Sequence, residues 1–242
     1  GALLGWGWRT IFVTLALLAV LVLWQIVQRL PETLTPARRR PLDMATIYAG
    51  YLLVMRHRGA MRELLSGILA NAGMFAFISG SPYVYITYFG VQPAHYGLLF
   101  AVNVGVMTVL TWINSRVVGR FGLGTMMRWG LRCIALASLA LLWVGLTGSG
   151  GLWGVMLAVV LFMSQLGFIN ANSMSMTLSH FPANAGTASA LAGTLRFGLG
   201  ALTAAAVNLV PAQSPLPMCL VMAICGLLAL LLYSLPLGDA EA

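Results

Sequence analysis

The chain reads as long apolar runs separated by short polar connections. Seven runs reach the roughly 20 residues needed to cross a bilayer as helix: 11–30, 64–88, 93–114, 126–145, 151–177, 186–209 and 216–235. The pattern predicts an all-α polytopic membrane protein with seven transmembrane helices. After the second run the connections are short, apart from a basic one at 115–125, so successive helices should be antiparallel neighbours. One long connection, 31–63, stands between the first and second runs. Pro31, Pro36 and Pro41 break helix there, and Arg38, Arg39 and Arg40 form a basic run. Asp43 is placed to cap a helix whose residues Met44, Ile47, Tyr48, Tyr51, Leu52 and Met55 share one face. Arg56, His57 and Arg58 close it, where cations suit the helix dipole. Such a segment lies on a membrane surface.

Composition agrees with the pattern. Sixty per cent of residues are apolar and 7% charged, which excludes an ordinary soluble domain. The net charge of +8 comes from thirteen arginines, with no lysine. In a membrane protein that charge calls for the positive-inside rule before nucleic acid. Seven arginines lie in or beside 31–63, and Arg116, Arg120, Arg128 and Arg132 flank 115–125, whereas 89–92, 146–150 and 210–215 carry none. Both basic connections and the C-terminus are therefore expected in the cytoplasm. Trp6, Trp8, Trp112, Trp129, Trp143 and Trp153 fall near run ends, as interfacial aromatics do. Cys133, Cys219 and Cys225 sit inside apolar runs without metal-ligand spacing and read as small buried residues.

Arg196 is the residue composition does not explain. Ten residues beyond Gly186, at about 1.5 Å each, it lies near the bilayer midplane. A charge there costs about 2.5–3.5 kcal/mol or more and should face protein or a water-filled cavity. Ser189, Gly193, Gly198 and Gly200 around it are expected to admit close helix neighbours. The functional account is a cavity cation that binds polar groups of a solute; the competing one is a structural arginine bonded to carbonyls.

Other candidates for a polar pathway follow from spacing. Gly67, Asn71, Met74, Ile78, Pro82 and Tyr85 form a stripe of the second run. Pro82 should interrupt that helix, making a bending gate with Phe75 and Tyr83 or Tyr85 as aromatic contacts. Asn103 and Met107 share a face of the third run; Gln165 and Asn172 share one in the fifth, with Phe168 between them. For each amide, interhelical hydrogen bonding is the alternative. Asn170 points elsewhere. His57, His95 and His180 read as separate helix-end residues, and no acid lies inside an apolar run.

One crossing, a basic linker and six tightly connected crossings suit the end of one transporter half followed by a complete second half. The start without Met agrees with a truncated chain. Domains are accordingly expected at 1–30, 31–63 and 64–242. Three stretches resemble the Bcr/CflA drug-resistance branch of the major facilitator superfamily. They are Gly73-Met-Phe-Ala-Phe-Ile-Ser-Gly-Ser-Pro-Tyr-Val-Tyr-Ile86; His95-Tyr-Gly-Leu-Leu-Phe-Ala-Val-Asn103 with Asn114-Ser-Arg116; and Phe181-Pro182 leading through Ala185-Gly-Thr-Ala-Ser-Ala-Leu-Ala-Gly-Thr-Leu-Arg-Phe-Gly198. Trp8-Arg-Thr-Ile-Phe12 and Leu30-Pro-Glu-Thr33 match the borders of that branch's sixth helix.

The resemblance implies helices six to twelve of a twelve-helix bacterial inner-membrane exporter. Its partners would be a small amphipathic drug-like substrate, protons, the lipid bilayer and the missing N-terminal half; no bound cofactor and no nucleic acid are implied. The superfamily's cytoplasmic loop signature survives only as Gly119-Arg120-Phe121-Gly122-Leu123, following Arg116, with Gly119 where an acid would stand. The family's proton-coupling acid is expected in the missing half. Two other readings stay open. One is a carrier of a small metabolite or organic anion, with Arg196 clamping a carboxylate. The other is a membrane-embedded enzyme acting on lipids, for which no nucleophile–acid grouping is visible in the sequence.

Overall fold

The computed structural model describes residues 9–30, 44–209 and 213–236, with the backbone alone at Ile11 and Thr46. The expected Asp43 cap, the Arg38–Arg40 run, Trp6 and Trp8 lie outside the described residues. The chain divides into two units, residues 1–46 and 47–242. In the first, α1 (Arg9–Arg29) exposes apolar side chains on every face, Leu17 and Val27 among them. A helix with no polar stripe suits lipid, not water.

The second unit begins within α2 (Met44–Arg56) and continues through α3 (Arg58–Pro82), α4 (Pro93–Phe121), α5 (Leu123–Thr147), α6 (Gly151–Ser164), α7 (Leu166–His180), α8 (Ala185–Leu209) and α9 (Leu216–Ser234). Among the described residues, seven helical stretches, α1 included and α6–α7 counted as one, are long and apolar enough to cross a membrane. The chain is a multi-pass all-α membrane protein. α3 is its central post, held by α7, α8 and α9. Ser173 of α7 donates to the Glu63 carbonyl at 2.8 Å, and Thr203 of α8 to the Ala72 carbonyl at 2.9 Å. Gly80 faces Met218 of α9. α4 buries only Asn103 and Asn114 and exposes Val102, Val109 and Trp112. That inversion of the soluble pattern follows when the outer solvent is hydrocarbon and polar groups must be sheltered.

Several boundaries depart from the sequence reading. Residues 115–125 are not a loop: α4 and α5 run into each other across Gly122 alone, whose φ of 81° is a conformation glycine adopts without strain. α2 forms as expected, but its docked side is Gly50, Tyr51 and Val54, not Met44, Ile47 and Met55. Val54 joins Ala60, Phe181, Ala188 and Leu191, and Gly50 lies against Thr187. The small residue and the buried valine admit the start of α8; the bulkier stripe stays exposed. Cys133 is exposed on α5, whereas Cys219 and Cys225 are buried.

Candidate functional site

Arg196 stands eleven residues after the first and thirteen before the last residue of α8, so at mid-length. It is half-buried, and its Nε is buried without a hydrogen-bond partner. No hydrogen bond or ion pair ties the guanidinium to the described residues. It is neither sealed among backbone oxygens nor neutralised.

Contacts between α3 and α8 fix what lies at its height. Gly200 abuts the Phe75 ring, Ser79 donates to the Ala204 carbonyl at 3.3 Å, and Ala192 packs with Leu64 and Ile68. The two helices are therefore parallel with a steady offset, which brings Asn71 level with Arg196. Asn71 is buried, and its Oδ1 also has no partner. Mid-membrane, two adjacent helices thus hold an unmet acceptor and an unmet donor, each costly to bury alone. Of the small residues expected to seat neighbours here, only Gly200 does so, against Phe75; a Cβ at Gly193 or Gly198 would meet nothing within 4 Å, and Ser189 is exposed. The α8 surface beside Arg196 is open rather than packed.

Above this level the α3 stripe opens progressively: Met74 is half-buried, Ile78 and Pro82 exposed. Gly67, at its foot, is closed against Ser173 of α7. Pro82 ends the α-helix as expected, and the chain continues as a π-helix, Tyr83–Tyr88, in which Phe89 N–H reaches the Val84 carbonyl at 3.1 Å. A proline lacks the N–H that the regular ladder requires, and the wider turn absorbs the defect. Phe75 is half-buried, edge-on to Phe197 with centroids 5.9 Å apart, and Tyr83 is half-buried.

Tyr85 is a correction. It is wholly buried, within 6.2 Å of both Phe77 and Tyr96, in an aromatic cluster completed by Phe100. Its sequence position on the stripe assumed 3.6 residues per turn, and the π-turn rotates it into the core. Tyr96, which meets Ser81 at 2.8 Å between hydroxyl oxygens, was not singled out by its run.

The amides separate. Asn172 is buried and pairs reciprocally with buried Asn114 of α4, its Nδ2 donating to the Asn114 Oδ1 at 3.0 Å. It therefore fastens α7 to α4 and does not face a cavity. The sequence placed Asn114 only inside a family stretch. Asn103 is buried, its Nδ2 turned back to the Leu99 carbonyl at 2.9 Å and its Oδ1 unpartnered; Met107 packs half-buried nearby on α4. Asn170 likewise has a buried, unpartnered Oδ1. Gln165 marks the break between α6 and α7, its Nε2 donating to Ser164 Oγ at 3.0 Å while Ser164 bonds back to the Leu161 carbonyl. Serine back-bonding of that kind bends helices. Phe168 is half-buried with its Cβ against Gly130 of α5, away from the α4 side that Asn172 faces.

Removing one half of the Asn114–Asn172 pair should cost about 0.6–1.7 kcal/mol, the range for hydrogen bonds between membrane helices. We expect Asn114→Leu to lower unfolding stability by that amount. The double change Asn114→Leu/Asn172→Leu should recover part of it, because no amide is then stranded. Thermal unfolding of all four species measures the coupling.

At the opposite end of α3, one residue outside the apolar run, the acid Glu63 is nevertheless buried by the protein. It is 6% exposed, and its Oε2 lies 3.3 Å from His180 Nε2. The histidines are not separate either: the His57 and His180 rings are 4.5 Å apart, and His57 Nδ1 accepts from the Ala60 N–H to cap α3. Folding back of the 180–181 corner brings them together; His95 is exposed, at the far end of the bundle. Arg116 and Arg120 are exposed, one turn apart at the end of α4, their guanidinium carbons 5.0 and 5.6 Å from the Trp112 and Phe121 rings. Gly119 beside them faces open space.

Comparison with known sequences bears on this arrangement. The profile of the Major Facilitator Superfamily matches residues 1–205. The bicyclomycin resistance protein homolog of Haemophilus influenzae is 29% identical over 228 residues, 93% of this chain and 56% of that protein. Multidrug resistance protein D of Escherichia coli is 28% identical over 237 residues, 96% and 57% respectively. Multidrug transporter MdfA of Edwardsiella piscicida is 25% identical over 192 residues, 78% and 46%. The chain spans about half the length of the curated relatives it matches.

Proposed function

Because the chain belongs to the major facilitator superfamily, a family of transporters, we propose that it forms the C-terminal portion of a bacterial inner-membrane exporter. In this reading the exporter expels small amphipathic drugs in exchange for protons. The names of its relatives, which concern bicyclomycin and multidrug resistance, support the substrate class. The observation that carries the mechanism is the unpaired Arg196 level with the unpaired Asn71. A solute passing between this half and an N-terminal half would meet a donor and an acceptor at mid-depth. Phe75, Phe197, Met74 and Ile78 would offer it apolar surface.

The six crossings from α3 onward would rock as one body against the other half, giving alternating access. Residues 31–63 and the C-terminus would lie in the cytoplasm. Proton coupling would be supplied by an acid outside this chain.

Everted vesicles from cells producing the intact transporter test the reading. Addition of amphipathic drugs should release protons from energised vesicles, and organic acids should not. The free charge of Arg196 also suits a carrier of organic anions. Proton release by organic acids alone would decide for that carrier.

A further inference from the structure

A second polar place lies away from the pathway, where α3 and α5 begin and α9 ends. Arg62 of α3, Arg128 and Arg132 of α5, and Leu230, Tyr233 and Ser234 of α9 line a recess of about 190 Å³. Arg62 is held in place rather than trailing in solvent. Its Nη1 donates to the Leu235 carbonyl at 3.3 Å, its guanidinium carbon lies 5.2 Å from the Tyr233 ring, and its Nε is buried without a partner. Arg128 and Arg132 are one turn apart on α5 and exposed, and Arg128 donates to Thr125 Oγ1 at 3.3 Å. Among the described residues the sole carboxylate is Glu63, and it is turned to His180. Glu63 is also within electrostatic reach of Arg62, so a single acid stands against three converging guanidinium groups.

The recess does not stop at charge. Leu230 and Ser234 also belong to an apolar groove of about 410 Å³, lined further by Leu227, Leu228 and Leu231 on the outer side of α9. Exposed Trp129, 5.9 Å from the Arg132 guanidinium, marks the depth at which headgroups begin. A ligand that fits both parts carries a phosphate at one end and hydrocarbon at the other. We propose that this site binds an anionic phospholipid. Its phosphodiester would lie among Arg62, Arg128 and Arg132, with Tyr233 at the wall, and an acyl chain would lie along Leu227–Leu231. Guanidinium forks match phosphate oxygens in number and geometry, and basic clefts between helices at a leaflet surface are where such headgroups bind. The site needs only that these helix ends meet a leaflet, so it stands apart from the identity of the transported solute.

The test uses the intact protein in neutral detergent. Retained lipid is read by native mass spectrometry after separate additions of phosphatidylglycerol, phosphatidylcholine and inorganic phosphate. Each arginine near an anionic lipid surface is worth about fivefold in binding. Phosphatidylglycerol should therefore be retained over phosphatidylcholine, and the variant Arg128→Gln/Arg132→Gln should lose about 25-fold. Both side chains are exposed, so the variant should fold. Leu228→Ala/Leu231→Ala should weaken phosphatidylglycerol retention with the arginines intact. Equal retention of the two lipids, or undiminished retention by the arginine variant, overturns the proposal. So does inorganic phosphate displacing the lipid at equal concentration, which would assign the recess to a free anion. Lipid retained only after Asp239→Asn/Glu241→Gln would assign it to the chain's own acidic tail, with the same consequence.

Discussion

Arg196→Ala in the intact transporter is expected to reduce drug resistance to the level of cells carrying no transporter, with near-normal amounts of protein in the membrane. A structural arginine would behave otherwise. If its guanidinium held carbonyls together, truncation would strand those carbonyls and lower the yield of folded protein. No described group bonds to it, and its charge sits at mid-membrane at a cost of about 2.5–3.5 kcal/mol or more. Removing an uncompensated cost leaves stability unchanged or raises it, so loss of export would be loss of function. Arg196→Lys keeps the charge but not the fork, and should retain part of the activity toward substrates recognised by charge alone. The measurements are inhibitory drug concentration, vesicle transport and membrane abundance side by side. Resistance at the wild-type level in Arg196→Ala would sink the pathway role.

The number and order of crossings were legible because lipid imposes one rule on every span: some 20 apolar residues and a closed backbone ladder. Arg196 was legible for the same reason, since a lone charge inside such a run is expensive wherever it points. What the runs do not encode is rotation. Asn172 and Asn103 looked alike as mid-run amides, yet one is locked to Asn114 across two helices and the other to its own backbone. Choosing between them requires the partner helix. Tyr85 was misplaced because a proline three residues before it changed the helical period, and a fixed 100° step carries no allowance for a π-turn. Glu63 escaped notice through its position at the edge of a run, where an acid reads as exposed. Burial comes from His180 at a corner 117 residues later, a contact invisible to periodicity. Long-range pairs of this kind decide which polar residues are fasteners and which are left unmet. Asn71 and Arg196 are among the unmet ones, as are Asn103 and Asn170; what singles the first two out as candidates is that they stand level on adjacent helices at mid-span.

Glycine makes the same distinction in steric terms. Gly226 of α9 lies where a Cβ would overlap Ser138 Oγ of α5 and come within 2.9 Å of the Phe162 ring of α6. Neither neighbour can give way: Ser138 is buried and bonded to the Ile134 carbonyl at 2.8 Å, and Phe162 is buried in the main core. Gly226→Val adds three carbons at the meeting of three helices. Overpacking of that kind costs about 1–3 kcal/mol and sometimes more, and the absence of any yielding side chain puts this case at the upper end. We expect its thermal midpoint to fall sharply, with much of the protein lost to aggregation in fluorescence-detected size exclusion. Gly193 sits on α8 one turn before Arg196 and faces open space, so Gly193→Val should change stability by no more than about 0.5 kcal/mol, as is typical of surface changes, and leave the midpoint near its starting value. If transport then falls in Gly193→Val while stability holds, the opening beside Arg196 is used by a solute. If the two valines destabilise equally, the space beside Gly193 is filled by protein in the intact transporter and the pathway must run elsewhere.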